Sequence, residues 1–232
     1  MEILVWCAVI IGSYLIGAIP FGWIIVKLLR GVDIRTTGSK NIGATNAARE
    51  LGKKWFPVVL FLDAAKGAGP ALIGRFLLAS YSPHLGIVAG AAAIVGHMFP
   101  VYLKFIGGKA VAAGVGVMLS LVTYPTLIAL GVFIIVFALF RYISLSSLAA
   151  AAAIIPGHIF LNRDTFFSDG FPLTVFIAVV VLAVFARHIT NIKRLLAGTE
   201  PKVGGGRTFG KKQDKESAQQ GETAAVQSDS AE

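Results

Sequence analysis

The sequence predicts an all-α, polytopic integral membrane protein with seven transmembrane helices, an outer N-terminus and a cytoplasmic C-terminus. Of its 232 residues, 56% are apolar and 14% are charged, and the mean hydropathy is +0.76. A soluble domain of this size cannot bury so much hydrocarbon, because too much of its surface stays outside. The Met1-Glu2 start lacks the basic segment of a cleavable signal peptide, so the first apolar run is expected to remain as a span.

Seven apolar runs define the predicted helices. They cover residues 3–29, 55–79, 85–104, 110–124, 125–140, 143–161 and 171–189. The stretch 110–140 is divided because one helix of that length would reach about 46 Å, whereas the hydrocarbon core is about 30 Å thick. Thr123-Tyr124-Pro125 marks the division, since proline removes a backbone donor and disfavours a helical residue before it.

The basic residues set the direction of the spans. Six lie between Arg30 and Lys54, and others follow near Lys104, Arg141 and Arg187. With seven spans, nearly all of them fall on the cytoplasmic side, as the positive-inside rule expects, whereas six spans would scatter them. Membrane loops therefore explain the net charge of +9, and no nucleic acid is expected as a partner.

Two regions are predicted, a membrane domain over residues 1–203 and a disordered cytoplasmic tail over 204–232. The tail is rich in Gly, Lys, Gln, Ser and Glu and has no apolar period. In the membrane domain, the second, fourth and sixth spans begin on the cytoplasmic side. Their unpaired N–H groups and helix dipoles together predict an anion site there.

Four polar groups lie near this face. The loop 37–49 combines glycines, hydroxyls and amides, with Asn46 as the expected helix N-cap and Arg49, whose guanidinium matches phosphate, three residues later. The alternative is a solvated turn before a short helix. Gly107-Gly108-Lys109 is a weak phosphate-loop signal, and by itself it favours a membrane-edge turn with a snorkelling lysine.

The other two groups lie further along the chain. The hydroxyls in 144–147 either bind an anion or cap the sixth span. His188 and Asn191 are three residues apart and are expected to share a helix face. The alternative, a basic helix end among lipid headgroups, accounts for Arg187 and Arg194 but less well for Asn191.

Three polar residues are expected inside the membrane. Asp63 and Lys66 are interpreted as a structural pair, because ionisable groups at that depth are costly unless paired. His97 is either a ligand contact or a hydrogen-bonded structural histidine. No His, Asp and Glu cluster has metal-ligand spacing, so no metal is expected.

These motifs together resemble the bacterial acyl-phosphate-dependent glycerol-3-phosphate acyltransferases, a PlsY-type membrane family. The likeness runs from about residue 10 to residue 202. The matching stretches are Gly38-Ser39-x-Asn41-Ile42-Gly43-Ala44-Thr45-Asn46, Leu62-Asp63-x-x-Lys66-Gly67, Gly96-His97-x-Phe99-Pro100, Gly107-Gly108-Lys109, and His188-x-x-Asn191 with Gly198-Thr199-Glu200-Pro201-Lys202. Lys40 and Ala110 stand where the family usually has glycine.

The resemblance implies transfer of a fatty acyl group from acyl phosphate to the sn-1 hydroxyl of glycerol 3-phosphate, giving lysophosphatidic acid and phosphate. This is the first acylation of phospholipid biosynthesis, at the bacterial cytoplasmic (inner) membrane, with the active site facing the cytoplasm. Both substrates and membrane lipid are the expected partners, and no cofactor is expected. Acyl phosphate is already activated, so a covalent serine or cysteine intermediate is unnecessary.

The resemblance also implies roles for individual residues, which would position two anions and neutralise their charge. The catalytic set is Ser39, Arg49, Lys109, His188 and Asn191. The substrate-binding set is Asn41, Gly43, Thr45, Asn46, His97, Gly107, Gly108, Ser146 and Ser147. The structural set is Asp63, Lys66 and Glu200. Arg49, His188 and Asn191 are assigned to glycerol 3-phosphate, and the acyl phosphate or its oxyanion is assigned to Ser39, Asn41, Lys109, Ser146 and Ser147.

The proton acceptor is either His188 or a substrate phosphate oxygen. A His188→Gln variant that keeps most of its turnover, measured with purified protein, would exclude the histidine as the base.

Two other functions are weighed against this one. A transporter for an organic phosphate would also collect cations and broken helices, but it predicts polar residues through the spans, and spans five to seven have almost none. Acyl-CoA-dependent glycerol phosphate acyltransferases carry a His-x-x-x-x-Asp pair, and none of the four histidines has an aspartate five residues on.

Overall fold

The protein is described by a computed structural model for residues 2–164, 168 and 170–204, and all regular structure within them is helical. The helices are α1 (Glu2–Ala18), α2 (Phe21–Arg30), α3 (Ala44–Leu51), α4 (Trp55–Leu72), α5 (Leu85–Met98), α6 (Val111–Leu121), α7 (Thr123–Phe140), α8 (Ile143–Leu161), α9 (Phe171–Arg187) and α10 (Ile189–Leu196). A π-helical segment, Ile73–Leu77, continues α4, and a 3-10 turn, Val101–Leu103, follows α5. The predicted tail lies outside the described residues apart from Gly204.

Within the described ranges, five helical stretches are long and apolar enough to cross a bilayer, and α9 with α10 makes a sixth if that bent pair is one span. This confirms the all-helical, multi-spanning class. Helix α6 has 11 residues and rises about 16 Å, roughly half of the hydrocarbon thickness. A seventh crossing would therefore need this short helix.

The observed helix breaks agree with those predicted from the sequence at one place and differ from them at two. The stretch 110–140 divides at Val122, next to the predicted break. The run 3–29, predicted as one span, is broken between α1 and α2 at Pro20. The last span ends at Arg187, and a bend of 57° separates α9 from α10. His188 lies at this bend as the N-cap of α10, and Asn191 lies in the first turn of that helix.

Small residues let two helix pairs pack with their backbones in close contact. A β-carbon added at Gly17 of α1 would collide with the Ala93 backbone of α5. One added at Gly67 of α4 would collide with the Ala113 backbone of α6. Such contacts are the usual basis of helix association in membranes, where apolar burial alone gives little driving force. They fix α5 and α6, which flank the Gly-Gly-Lys motif.

Polar contacts made by two cations lie at the C-terminal ends of α1 and α6. Lys66 lies 2.8 Å from Asp63 and donates a hydrogen bond of 2.5 Å to the Ile19 carbonyl where α1 ends. Arg75 donates hydrogen bonds to the carbonyls of Ser120 and Leu121 where α6 ends. In both places a cation satisfies carbonyl groups that a helix C-terminus leaves unpaired.

The loop between α2 and α3 has a small apolar core of its own. Ile34 and Ile42 from the loop pack with Val26 of α2, Val59 of α4 and Leu103 of the 3-10 turn. Arg35 also donates a hydrogen bond of 3.2 Å to the Leu103 carbonyl. The loops after α2 and α5 therefore lie against each other at the same end of the helix bundle.

Candidate active site

The first loop (residues 37–49) runs into α3, which carries Arg49. Helix α3 begins at Ala44 with Gly43 as its N-cap, so the prediction of Asn46 as the N-cap was wrong. Asn46 and Thr45 lie in the first turn. Gly43 donates its N–H to the Asn41 side-chain oxygen at 2.8 Å, which is a local turn of the kind that asparagine favours.

Asn46 holds the first loop together. Its side chain is 1% exposed, and its amide oxygen accepts the Ser39 N–H at 2.9 Å. Its amide nitrogen donates to three main-chain carbonyls at 3.0–3.1 Å, those of Ile34, Thr37 and Asn41. Because main-chain groups already use the whole amide, Asn46 shapes the loop that presents Ser39 and Arg49.

The Gly-Gly-Lys loop (residues 107–109) lies against the end of α5. The Gly108 N–H donates to the His97 carbonyl at 3.0 Å. A β-carbon at Gly107 would collide with the Pro100 ring, and one at Gly108 would collide with the His97 ring. Both glycines are therefore needed for packing. The structure places His97, with 3% of its side chain exposed, beneath this loop.

The start of α6 leaves backbone donors unpaired next to Lys109. Within the described part of the chain, no hydrogen bond uses the N–H of Lys109, Ala110, Val111 or Ala112. The Lys109 ammonium donates to the Asn191 side-chain oxygen at 2.5 Å. Free amides at a helix N-terminus together with a cation make an anion site. The second and fourth sequence motifs meet here.

Glu200 joins three elements behind this anion site. One carboxylate oxygen accepts hydrogen bonds of 2.7 Å from the Ser144 hydroxyl and from the Asn191 amide. The other accepts the Arg194 Nε–H at 2.7 Å. Because Glu200 binds the Asn191 amide nitrogen, the amide oxygen faces Lys109. The carboxylate thus fixes which side of Asn191 meets the cation.

The charges show that these groups form one cluster. Burial lowers the pKa of Lys109 to about 8; Glu200 opposes the shift, and Arg194, Arg49 and Arg187 add to it. Burial raises the pKa of Glu200, but hydrogen bonds from Ser144, Asn191 and Arg194 outweigh it, and the net pKa is lowered. Burial also lowers the pKa of Arg49. One carboxylate thus faces four cations, which is an excess that attracts anions.

The remaining predicted residues surround this cluster. Ser146 and Ser147 donate their hydroxyls at 2.8 Å to the carbonyls of Tyr142 and Ile143 in their own helix. They do not cap α8, which has no side-chain cap. His188 is buried, and its Nδ1 lies 2.8 Å from the Val184 carbonyl, so Nδ1 carries the proton and Nε2 is an acceptor.

An apolar cavity begins next to Lys109 and extends between α6, α7, α8 and α9. Its lining includes Ala110, Gly114 and Met118 along α6, a rise of about 12 Å. Thr126 and Ser147 are the two lining residues with polar side chains, and each donates its hydroxyl within its own helix. The cavity therefore presents a mainly hydrocarbon surface beside the anion site.

Sequence comparison identifies the family. The model of a family described as glycerol-3-phosphate acyltransferase matches residues 7–198. The chain belongs to the glycerol-3-phosphate acyltransferase family. A glycerol-3-phosphate acyltransferase of Geobacillus kaustophilus is 44% identical over 191 residues, covering 82% of this chain and 92% of that protein. One from Endomicrobium trichonymphae is 41% identical over 203 residues, covering 88% of this chain and 96% of that protein.

A solved structure agrees with this assignment. The crystal structure of PlsY (YgiH), an integral membrane glycerol 3-phosphate acyltransferase in its glycerol 3-phosphate form, superposes with a TM-score of 0.77. It is 35% identical, covering 86% of this chain and 96% of that chain. Its lysophosphatidic acid form gives a TM-score of 0.75. The present chain is accordingly a membrane acyltransferase of this family.

Both positions where the sequence departs from the glycine expected of the acyltransferase family have a left-handed backbone. Lys40 has φ 56° and Ala110 has φ 62°. Glycine adopts this conformation freely, whereas a β-carbon strains it. The family glycines are thus explained by backbone geometry. This chain keeps that geometry with other residues.

Replacing Ala110 by glycine is expected to keep activity and to change stability little. The change relieves about 1 kcal/mol of left-handed strain, but it also adds about 0.4–1 kcal/mol of freedom in the unfolded chain and removes a fully buried methyl group worth about 0.8 kcal/mol. Thermal unfolding of the purified protein would measure the effect. The control is Ala112→Gly, at an ordinary helical position, which should lose about 0.5–1 kcal/mol. Equal losses in both variants would contradict the strain argument.

The headgroup alternative placed two basic residues, Arg187 and Arg194, at the lipid surface, but both bind within the site. Arg194 donates to Glu200 at 2.7 Å, and Arg187 donates to the carbonyls of Gly107 and Gly108 at 3.0 Å each. No local pattern could reveal the second contact, because its partners are 79 and 80 residues away.

Proposed function

We propose that this acyltransferase uses acyl phosphate as its donor and acylates the sn-1 hydroxyl of glycerol 3-phosphate. The observation that carries the proposal is the apolar cavity that begins at Ala110, beside the unpaired amides of α6 and Lys109. A donor with a phosphate head and a hydrocarbon tail matches this junction. The head would bind at the helix N-terminus, and the tail would lie in the cavity.

The chemistry needs no covalent enzyme intermediate. The sn-1 oxygen attacks the acyl carbonyl carbon, the bond from that carbon to the phosphate oxygen breaks, and phosphate leaves with the electron pair. Among the described residues, Ser39, Ser144, Ser146 and Ser147 make no hydrogen bond to a histidine ring, so none of these four is activated for a two-step route. His188 would present Nε2 to the substrate hydroxyl as a proton acceptor.

The remaining residues would hold the two phosphates together. Lys109, Ser39 and the amides of α6 are assigned to the acyl phosphate and the developing oxyanion. Arg49 and Asn191 are assigned to glycerol 3-phosphate. Two dianions repel each other, so the excess of cations over Glu200 would lower the cost of bringing them into contact. Asn41, Gly43, Thr45 and Asn46 would shape the first loop.

We further propose seven spans, with an outer N-terminus, in the bacterial cytoplasmic membrane and with the site facing the cytoplasm. The basic loops support this topology. The loops after α2 and α5 lie at the same end of the bundle, as a single pocket requires. Reporter fusions in the first loop and in the Gly-Gly-Lys loop should report the cytoplasm for both, and opposite sides would end the proposal.

The donor is tested by offering purified protein acyl phosphate, acyl-CoA and acyl carrier protein with labelled glycerol 3-phosphate. We expect labelled lysophosphatidic acid, with phosphate release, from acyl phosphate alone. An organic phosphate transporter would instead give vesicle uptake without phosphate release. A second arm uses Gly114→Leu, because Gly114 adjoins open space in the cavity wall. The leucine should favour shorter acyl chains, and an unchanged chain-length profile would remove the cavity from the proposal.

Activity should fall as pH rises through about 8. In the protein without substrate, the pKa of Lys109 is about 8. The protonated side chain, which predominates below that pH, is the form that attracts phosphate. We expect kcat/KM to lose about tenfold per pH unit on the alkaline side. Lys109→Arg is the control, since arginine stays charged and should not show this limb. If that variant kept the limb, the titration would belong to another group.

A further inference from the structure

Arg187 has no assigned role in the chemistry above, yet three contacts hold it beside the Gly-Gly-Lys loop. Its Nε–H donates to the Gly108 carbonyl at 3.0 Å, and its Nη2–H donates to the Gly107 carbonyl at 3.0 Å. The guanidinium lies over the Phe99 ring, 5.5 Å from its centre. Arg187 is half-buried, and its guanidinium is directed at the Gly-Gly-Lys loop.

We propose that Arg187 is a positioning residue for the transfer: by fixing the carbonyls of Gly107 and Gly108, it aims the Lys109 N–H and the start of α6 at the donor phosphate.

The argument follows from the peptide geometry. In a trans peptide the N–H points opposite to the C=O. With the Gly108 carbonyl turned to Arg187, the Lys109 N–H points to the other side, where it has no partner in the described chain. The Gly107–Gly108 peptide is already fixed at both ends, since Gly108 donates to His97. With both glycine carbonyls held by Arg187, an arrangement we call the clamp, the Lys109 N–H is the first backbone donor of the loop without a partner in the described chain.

Two consecutive glycines make this clamp necessary. Glycine has the widest range of backbone conformations, so the loop could rotate a peptide without steric hindrance. A flip of the Gly108–Lys109 peptide would present a carbonyl oxygen to the phosphate in place of an N–H. Repulsion would then replace attraction at the position where charge develops.

The contact requires arginine in particular. A guanidinium presents two N–H groups in a fixed fork, and here they reach two successive carbonyls. A lysine ammonium is a point donor, which can retain the charge but cannot hold both carbonyls in a fixed plane. Arg187→Lys therefore separates geometry from charge.

The charge of Arg187 has a second measurable effect, on the pKa of Lys109 and therefore on the pH above which kcat/KM falls (the alkaline limb). The groups whose charges act on Lys109 are Glu200, Arg194, Arg49 and Arg187, and the arginines lower its pKa. Removing the charge of Arg187 should therefore move the alkaline limb of kcat/KM to higher pH. Arg187→Lys should leave that limb in place.

The experiment compares Arg187→Lys and Arg187→Gln with Lys193→Gln, which removes one exposed cation from α10. We expect both Arg187 variants to lose about 10- to 100-fold in kcat/KM for the donor, while KM for glycerol 3-phosphate stays within about twofold. Only Arg187→Gln should shift the alkaline limb, and Lys193→Gln should match wild type. A purely structural role would lower the active fraction but would change neither KM nor the limb.

The inference is overturned if Arg187→Lys keeps wild-type kcat/KM, or if Arg187→Gln loses activity with both KM values and the limb unchanged. Should the Arg187 variants fail to accumulate, Phe99→Leu removes the ring beneath the guanidinium, and its kcat/KM for the donor should fall several-fold. A wild-type value there also overturns it. The inference rests on the proposed function for the identity of the donor, so every variant is assayed with the donor that the wild-type protein uses fastest. If the donor is not acyl phosphate, the wild-type assay shows this, and the ratio of each variant's kcat/KM to the wild-type value still tests the role of Arg187.

Discussion

Lys109→Ala should lose about 10²- to 10³-fold in kcat, the usual cost of removing a donor aimed at developing negative charge. Lys109 is the one cation that both touches Asn191 and stands beside the unpaired amides of α6 in the described structure. Its removal also leaves the cavity mouth without the charge that would hold a phosphate. Initial rates of phosphate release at saturating substrate would measure the loss.

The same variant should still fold. Burial lowers the pKa of Lys109 to about 8, so at neutral pH the charged side chain is disfavoured in the folded state relative to the unfolded chain. Removing it therefore takes away a folded-state penalty, and thermal unfolding should not begin earlier. The contacts of Gly108 with His97 and Arg187 remain.

Lys104→Ala is the matched control for this prediction. Lys104 lies five residues earlier on the exposed surface, and its side chain has no hydrogen bond in the described structure. It should keep wild-type turnover. Near-normal turnover in Lys109→Ala would remove the Gly-Gly-Lys loop from the mechanism, and equal losses in both variants would indicate a general effect of loop charge.

The sequence predicted the helices well because hydropathy reports burial in lipid directly. It predicted the breaks less well, since these depend on partners for backbone groups. Pro70 and Pro156 lie inside α4 and α8, and both helices continue through them. Pro20 ends a helix, and Lys66 satisfies the Ile19 carbonyl there. A proline by itself does not tell these cases apart.

In the site too, some features could be predicted from the sequence and others could not. The motifs and their common side of the bundle could be predicted, because glycines, hydroxyls and cations collect in loops between spans. The individual roles could not, because each depends on distant partners. Asn46 was expected to bind substrate, yet main-chain groups of Ile34, Thr37, Ser39 and Asn41 use its whole side-chain amide. Arg187 was assigned no role in the site and was accounted for only by the headgroup alternative, yet it holds two glycine carbonyls.

Glu200→Ala should cost several kcal/mol of stability together with most of the activity. The carboxylate side chain is 7% exposed and accepts hydrogen bonds from Ser144 and Asn191. Each buried donor left without an acceptor costs about 1–3 kcal/mol. The third partner, Arg194, has a side chain that is 40% exposed, so solvent screens that ion pair and it adds little. Thermal unfolding of the purified variant would measure the loss.

Glu200→Gln separates the structural part of this effect from the electrostatic part. A glutamine oxygen can still accept from Ser144 and Asn191, so most of the stability should return. The charge does not return. Glu200 is the acid that raises the pKa of Lys109 against three arginines, so its neutral replacement should lower that pKa further below 8.

The consequence is a distinct pH profile for the glutamine variant. Lys109 would lose its proton at lower pH, so the alkaline limb of kcat/KM should move towards neutrality, opposite to the shift expected for Arg187→Gln. Activity at pH 6, where Lys109 stays protonated, should approach wild type. If Glu200→Gln were as unstable as Glu200→Ala, the carboxylate charge and not its hydrogen bonds would hold α8 and α10 together. If the limb did not move, Glu200 would have no influence on Lys109.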